Sequence, residues 1–160
     1  MATQTSQLSP QTAEWRERRR QAMALLACSE ANEIAHHLQS LDPLPRHDLV
    51  RAPESGMLMV RGRISGDGAP FHFGEATVSR AVVRLDSGEI GYGYTLGRDH
   101  DKVRLIALCD ALVQHEGYCA ALERRVLAPI RDRLAAARRT DAERVAATKV
   151  EFFTLVRGEG

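Results

Sequence analysis

At 160 residues the chain is sized for one domain with a single core. Its 44% hydrophobic and 27% charged residues are ordinary globular values that exclude wholesale disorder. A net charge of +1 leaves no global basic field with which to hold nucleic acid.

Residues 1–11 are small and polar and read as a flexible tail, leaving 12–160 as one α+β domain. No apolar run approaches the ~20 residues of a membrane-spanning helix. "MATQTSQLSPQTAEW" lacks the basic-then-apolar pattern of a secretory leader. The expectation is a cytoplasmic chain without membrane contact, in which Cys28, Cys109 and Cys119 are reduced thiols, two or more of them buried.

Ser9-Pro10 reads as a helix entry, the serine capping and the proline at N1. Trp15, Arg19, Met23 and Leu26 then recur at helical spacing, with Ala22 and Leu25 widening the stripe. Ser29 with Asn32 and Glu33 predicts a capped restart running to about Leu41, and Asp42-Pro43-Leu44-Pro45 ends it. The period then changes. His47–Ala52 reads as a strand, Pro53-Glu54-Ser55-Gly56 as a turn, and "MLMVRGRI" (Met57–Ile64) as a second strand. Gly66-Asp67-Gly68 connects to a run from Phe71 to Leu85, whose alternation slips near Gly74-Glu75, as at a bulge. Asp86-Ser87-Gly88 is a hairpin turn. In "EIGYGYTL", Ile90, Tyr92, Tyr94 and Leu96 share one face.

Asp99 is a good N-cap for a helix carrying Val103, Ile106, Ala107, Asp110 and Val113, which Gly117 ends or bends. A further helix over Tyr118–Ala147 has Leu122, Val126, Ile130 and Leu134 as its stripe and an interruption near Pro129. Val150–Val156 reads as a final strand completing the sheet. Helices, an antiparallel meander, helices and one strand make an α+β fold.

The glycine-rich segment Ile64–Arg80 invites a phosphate-binding reading. No lysine or Ser/Thr follows Gly68 at P-loop spacing and no helix opens behind it, so a hairpin is favoured over a ligand loop. "GYGYTLG" has one residue too many for a dinucleotide fingerprint, and its first glycines lie inside a strand. Arg98 beside a helix start suits an anion, but Asp99 as cap competes for the same N–H groups. His115 and Cys119 are only one pair, short of a metal set. Glu75 is either a general base or, better, a partner of Arg80, Arg61 or Arg63. Asp110, on the apolar side of its helix, is a candidate for bonding a strand end or for a subunit contact. The arginines of 124–139 read as a solvated face or a partner surface. Taken alone, the residues name no reaction.

The blocks RGR, GAPF, GEATV, LGRD, DAL and FFTLVRGE occur in order between Arg61 and Glu159, within a likeness that covers nearly the whole chain beyond the first dozen residues. They resemble the PhnG family, one of the components of the carbon–phosphorus (C–P) lyase core complex. His72 and Phe73 depart from the asparagine and leucine of that pattern. The resemblance implies a hetero-oligomer with subunits H, I and J, and with L functionally. It also implies a role in forming α-D-ribose 1-methylphosphonate 5-triphosphate from ATP and methylphosphonate, with adenine released. The I subunit would carry the chemistry and this chain would support it, with no cofactor or metal of its own. Arg61, Arg63, Glu75, Arg80, Arg98, Asp99, Asp110 and Arg157 are the ligand or interface candidates. A subunit lending phosphate-binding arginines directly, or a stand-alone binding domain, are the alternatives.

Overall fold

The computed structural model describes residues 10–64 and 67–148. In chain order the elements are α1 (Pro10–Ala27), α2 (Ala31–Gln39), β1 (His47–Arg63), β2 (Pro70–Leu85), β3 (Ile90–Leu96), α3 (His100–Gln114), α4 (Glu116–Leu122), a π-helical turn (Glu123–Leu127) and α5 (Ala128–Ala147). The strands form one antiparallel sheet in the order β1-β2-β3. The α+β class with a central meander therefore stands, and the described residues hold no fourth strand. Ser9, Gly66, the Val150–Val156 strand and Arg157 lie outside the described residues.

Helix α3 lies across one side of the sheet and also packs against α1 and α2, which the π-helical turn contacts in turn. That central position explains why α3 is apolar nearly all round, with an unbroken buried run from Ile106 to Val113. The α1 stripe faces this core as its spacing implies: Ala22 and Leu26 are buried, with Met23 and Leu25 against them. So does the second stripe, with Leu122, Val126 and Ile130 buried and Leu134 half-buried.

Local signals went astray at two boundaries and held at a third. Ser29 does not cap α2; its hydroxyl donates back to the Leu25 carbonyl at 2.9 Å, and α2 starts after Glu30 with no side-chain cap. The last carbonyls of α1 lack intrahelical donors, and Ser29 and the Lys102 ammonium, 2.7 Å from the Ala27 oxygen, both serve them. The break after α3 falls at His115, which is extended, and not at Gly117. Gly117 sits in the first turn of α4 and gives its N–H to His115 Nδ1 at 3.0 Å. The interruption near Pro129 is a widened π turn just ahead of it, where Pro129 offers no N–H to the preceding turn.

The larger correction concerns Pro53–Gly56. These residues are no turn but the middle of a continuous β1, with Glu54, Ser55 and Gly56 opposite Arg80, Ser79 and Val78. A proline survives here because β1 is an edge strand among the described residues and because Pro53 lies within a register shift, between Arg51 and Glu54. The bulge expected at Gly74-Glu75 lies one step earlier. Val60 faces Gly74 and Arg61 faces His72, which leaves Phe73 as the extra residue. The β1–β2 connection is a hairpin, closed by Gly68 N–H on the Ile64 carbonyl at 3.2 Å. A Cβ at Gly68 would stand 2.4 Å from that same oxygen, so glycine there serves the turn. The β2–β3 turn is the expected one, with Gly88 at φ 109°.

Candidate functional site

The two sides of the sheet differ in kind, and the difference begins with "GYGYTL". In β3, Gly91, Gly93 and Thr95 face α3 and are buried, while Ile90, Tyr92, Tyr94 and Leu96 face away and are exposed. A Cβ built on Gly91 would meet the Ala107 carbonyl oxygen at 2.0 Å, and one on Gly93 the Val103 oxygen at 2.0 Å. The two glycines let helix backbone rest directly on strand backbone. They hold no phosphate; they bring α3 close enough to seal the helix side.

That seal includes a buried carboxylate. Asp110 is 1% exposed. It accepts the Tyr92 N–H at 2.8 Å and takes a two-pronged grip from Arg19 of α1, Nε at 2.8 Å and Nη2 at 2.5 Å. Arg19 is itself stacked 4.7 Å from the Trp15 ring centroid. Gln114 adds a bond to the Ile90 carbonyl at 2.7 Å. Of the two uses open to Asp110, the structure shows the bond to a strand: it plugs the start of the free β3 edge and ties that edge to α1 and α3.

The outward side is left open. Tyr92 (58% exposed), Tyr94 and Leu96 (74%) stand on it. A depression of about 510 Å³ lies among Val50, Arg51, Arg80, Val82, Tyr92 and Tyr94. Its charged rim is a triad: Glu54 accepts from Arg80 Nε at 2.6 Å and from Arg51 at 3.1 Å. The hydrogen bond from Arg80 is the main reason the Glu54 carboxyl sits below the usual carboxylate range. Arg80 thus pairs with Glu54, which the sequence reading passed over, and not with Glu75. Glu75 lies opposite Met59, exposed, and enters none of the ion pairs among the described residues. The signal for Glu54 existed only if 53–56 was strand, so the misread turn concealed it.

Beside the triad runs a chain of small polar groups. Ser79, buried, donates to the Gly97 carbonyl at 2.8 Å and lies 3.0 Å from the Ser55 hydroxyl, itself 2.8 Å from His100 Nε2. It joins β1 and β2 to the turn that starts α3. In that turn Gly97 takes φ 88°, and Asp99 caps the helix by accepting the Lys102 N–H at 2.8 Å. Asp99 therefore occupies one of the first-turn N–H groups that an anion beside Arg98 would use; Arg98 is exposed. Arg61 and Arg63 lie on the distal part of β1, opposite His72 and Pro70, away from Arg98 and Asp99. Among the described residues, Arg61, Arg63, Glu75 and Arg80 lie on β1 and β2 while Arg98, Asp99 and Asp110 lie at or in α3, and no pocket is lined by all of them.

Cysteine and histidine supply little chemistry. Cys28 is exposed and Cys119 half-buried, so only Cys109 is fully buried, one fewer than expected. Burial pushes the Cys109 thiol up to about 12. His115 stacks edge-on against Tyr118 with centroids 5.1 Å apart. Among the described residues no group of three His, Cys, Asp or Glu side chains converges as for a metal ion. Among the same residues, no helix is long and apolar enough to cross a membrane.

Beyond the sheet face, the β1–β2 hairpin continues past the helices. There Met57 (71% exposed), Leu58, Met59, Val60, Phe71 and Phe73 (76%) stand in water on both faces. Monomeric domains seldom display apolar surface on this scale without a use for it.

Fold and surface together define a class: a small α+β domain, sealed by glycine-mediated helix packing on one side and left apolar on the other. The particular family follows from comparison. The family described as "Phosphonate metabolism protein PhnG" matches residues 17–158. The chain is 49% identical over 144 residues to the alpha-D-ribose 1-methylphosphonate 5-triphosphate synthase subunit PhnG of Rhizobium meliloti (strain 1021), an alignment covering 88% of this chain and 90% of that one. The chain belongs to the PhnG family of phosphonate metabolism.

Proposed function

We propose that this chain is a subunit of an α-D-ribose 1-methylphosphonate 5-triphosphate synthase. In this reading it works with C–P lyase subunits H, I and J, and with L functionally. The complex joins methylphosphonate to the ribose carbon of ATP from which adenine departs. The chain's part is to bind and shape its partners and not to perform the chemistry. The observation that carries this reading is the open sheet face around Tyr92, Tyr94 and Leu96 with its Arg51–Glu54–Arg80 rim. An apolar centre containing tyrosine, bordered by arginines, is the composition of a protein interface. Two candidate carboxylates are committed to structural work: Asp110 to Arg19 and Tyr92, and Asp99 to its helix.

The test is co-purification followed by assay with ATP and methylphosphonate. Tyr92→Ser/Tyr94→Ser is expected to keep the fold, lose the other subunits and lose synthase activity with them. Arg98→Ala is expected to assemble and retain activity. An Arg98→Ala complex that assembles but is inactive makes this subunit a direct ligand binder and overturns the supporting role.

A further inference from the structure

Along β2 the outward face of the sheet reads Arg80, Val82, Arg84: a cation, an apolar side chain and a second cation. Four residues of extended strand separate the two arginines, or about 13 Å between their Cα atoms. Tyr94, Tyr92 and Ile90 of β3 stand opposite these three in the same order, all exposed. The 510 Å³ depression of this face has Arg80, Val82 and those three β3 side chains in its lining. The face is therefore an apolar trough with a cation at each end of its β2 wall.

The charge on it is unbalanced among the described residues. Glu54 is shared by two arginines, Arg80 at 2.6 Å and Arg51 at 3.1 Å, so that triad keeps a net positive charge. Arg84 faces Asp48 in register and both are exposed, yet Arg84 enters none of the ion pairs among the described residues. Past Tyr92, Arg16 of α1 lines the adjoining depression, likewise outside those ion pairs. The nearby carboxylates of α1 and α3 are taken: Glu17 by Arg20 and Asp110 by Arg19. These cations are strung along the face and do not converge, and Glu54 draws the Arg80 head toward β1. A small anion needs convergent donors; an elongated acidic partner needs a row.

We propose that an acidic amphipathic helix of another subunit lies over this face, along β2. The inference rests on the reading of the face as the place where other subunits dock, and it names the chemistry of the docked element. A helix is the usual cover for the open face of such a sheet, and α3 already covers the opposite side. On a helix, carboxylates at i and i+7 stand about 10.5 Å apart, within reach of two long arginine side chains rooted about 13 Å apart. Positions i+3 and i+4 fall between them on the same side. Apolar there, they sit over Val82 and Tyr92 and enter the depression. The two carboxylates meet Arg84 and the Arg80 end of the triad, supplying the charge that Asp48 and Glu54 leave unmatched.

The test co-expresses the full chain with subunits H, I and J and follows dissociation of the complex on dilution, with circular dichroism to check that each variant folds. Arg84→Glu is expected to raise the concentration at which the complex falls apart about tenfold, and Arg84→Lys, which keeps the charge, to leave it near that of the unaltered chain. In the Arg84→Lys complex, carbodiimide coupling is expected to join the introduced amine to an aspartate or glutamate of another subunit. Coupling to Asp48 alone, or to nothing, overturns the proposal. So does Arg84→Glu assembling as tightly as the unaltered chain. If that happens while Tyr92→Ser/Tyr94→Ser loses its subunits, the acidic helix falls and the docking face stands; if the tyrosine variant keeps its subunits, both fall. Tripolyphosphate binding to the isolated chain that Arg84→Glu abolishes makes the face a phosphate site and also overturns the proposal.

Discussion

The helix side and the outward side of the same three strands obey opposite rules. On the helix side, alternate β3 positions are glycine, glycine and threonine, and backbone meets backbone; on the outward side the intervening positions are isoleucine, two tyrosines and leucine, and none of the described residues covers them. Large apolar side chains usually mark the core and glycine the surface or a turn. Here the small residues lie inside because α3 approaches too closely for a Cβ, and the large ones lie outside and exposed. Size in a strand thus reports the distance to the next layer, and only the next layer tells which face is the core.

The comparison predicts its own failures, the largest first. Gly91→Val would force side-chain atoms onto the Ala107 backbone. It should cost about 3 kcal/mol or more, readable as a fall in Tm of roughly 10 °C for a chain of this size. Gly74→Ala, where a Cβ meets nothing within 4 Å, should change stability by less than about 0.5 kcal/mol in the same melt. Equal penalties would mean that close approach is not what the β3 glycines provide.

Arg19→Ala comes next. It strips the cation from a carboxylate that is 1% exposed and leaves Asp110 with the Tyr92 N–H. Breaking such a pair from one side costs about 3 kcal/mol. Asp110→Asn, which keeps an acceptor for Tyr92 and removes the buried charge, should cost less in denaturant titrations. If Asp110→Asn proves the worse of the two, the strand bond and not the ion pair dominates the clasp.

On the outward side the expected effects on folding shrink. Tyr92→Ser/Tyr94→Ser should move the stability of the isolated chain by no more than about 1 kcal/mol, because both rings already stand in water. A large loss of stability would show that the face is part of the core after all. The smallest effect concerns Glu54. Its carboxyl is held below the ordinary 4.5, chiefly by the Arg80 hydrogen bond. The stabilisation this supplies is present above the unfolded-state value and is lost as the pH falls through the lowered folded one. Arg80→Ala should bring the Glu54 titration, followed by NMR, back toward 4.5. A titration left where it was would remove Arg80 as the cause.

The sequence determined by itself what depends on neighbours along the chain. Stripes at helical spacing located α1 and the Leu122–Leu134 face, Asp99 announced its cap, and Asp86-Ser87-Gly88 its hairpin, because each signal acts within a turn or two of backbone. The family blocks, most specific from Arg51 to Leu112 and closing with FFTLVRGE, likewise carried the family. Pro53–Gly56 misled because a proline between strands and a proline on an edge strand look alike until the partner strand is known; with that reading went Glu54 and the triad it organises. Ser29 misled for a similar reason, since its hydroxyl had two helix ends to choose from. The faces were legible but not their direction: alternation grouped Ile90, Tyr92, Tyr94 and Leu96 correctly, whereas their exposure was decided by α3 settling on the glycines between them. Periodicity sorts side chains into sets at no distance. Which set is buried depends on a helix that arrives from elsewhere in the chain, and that only the tertiary structure could decide.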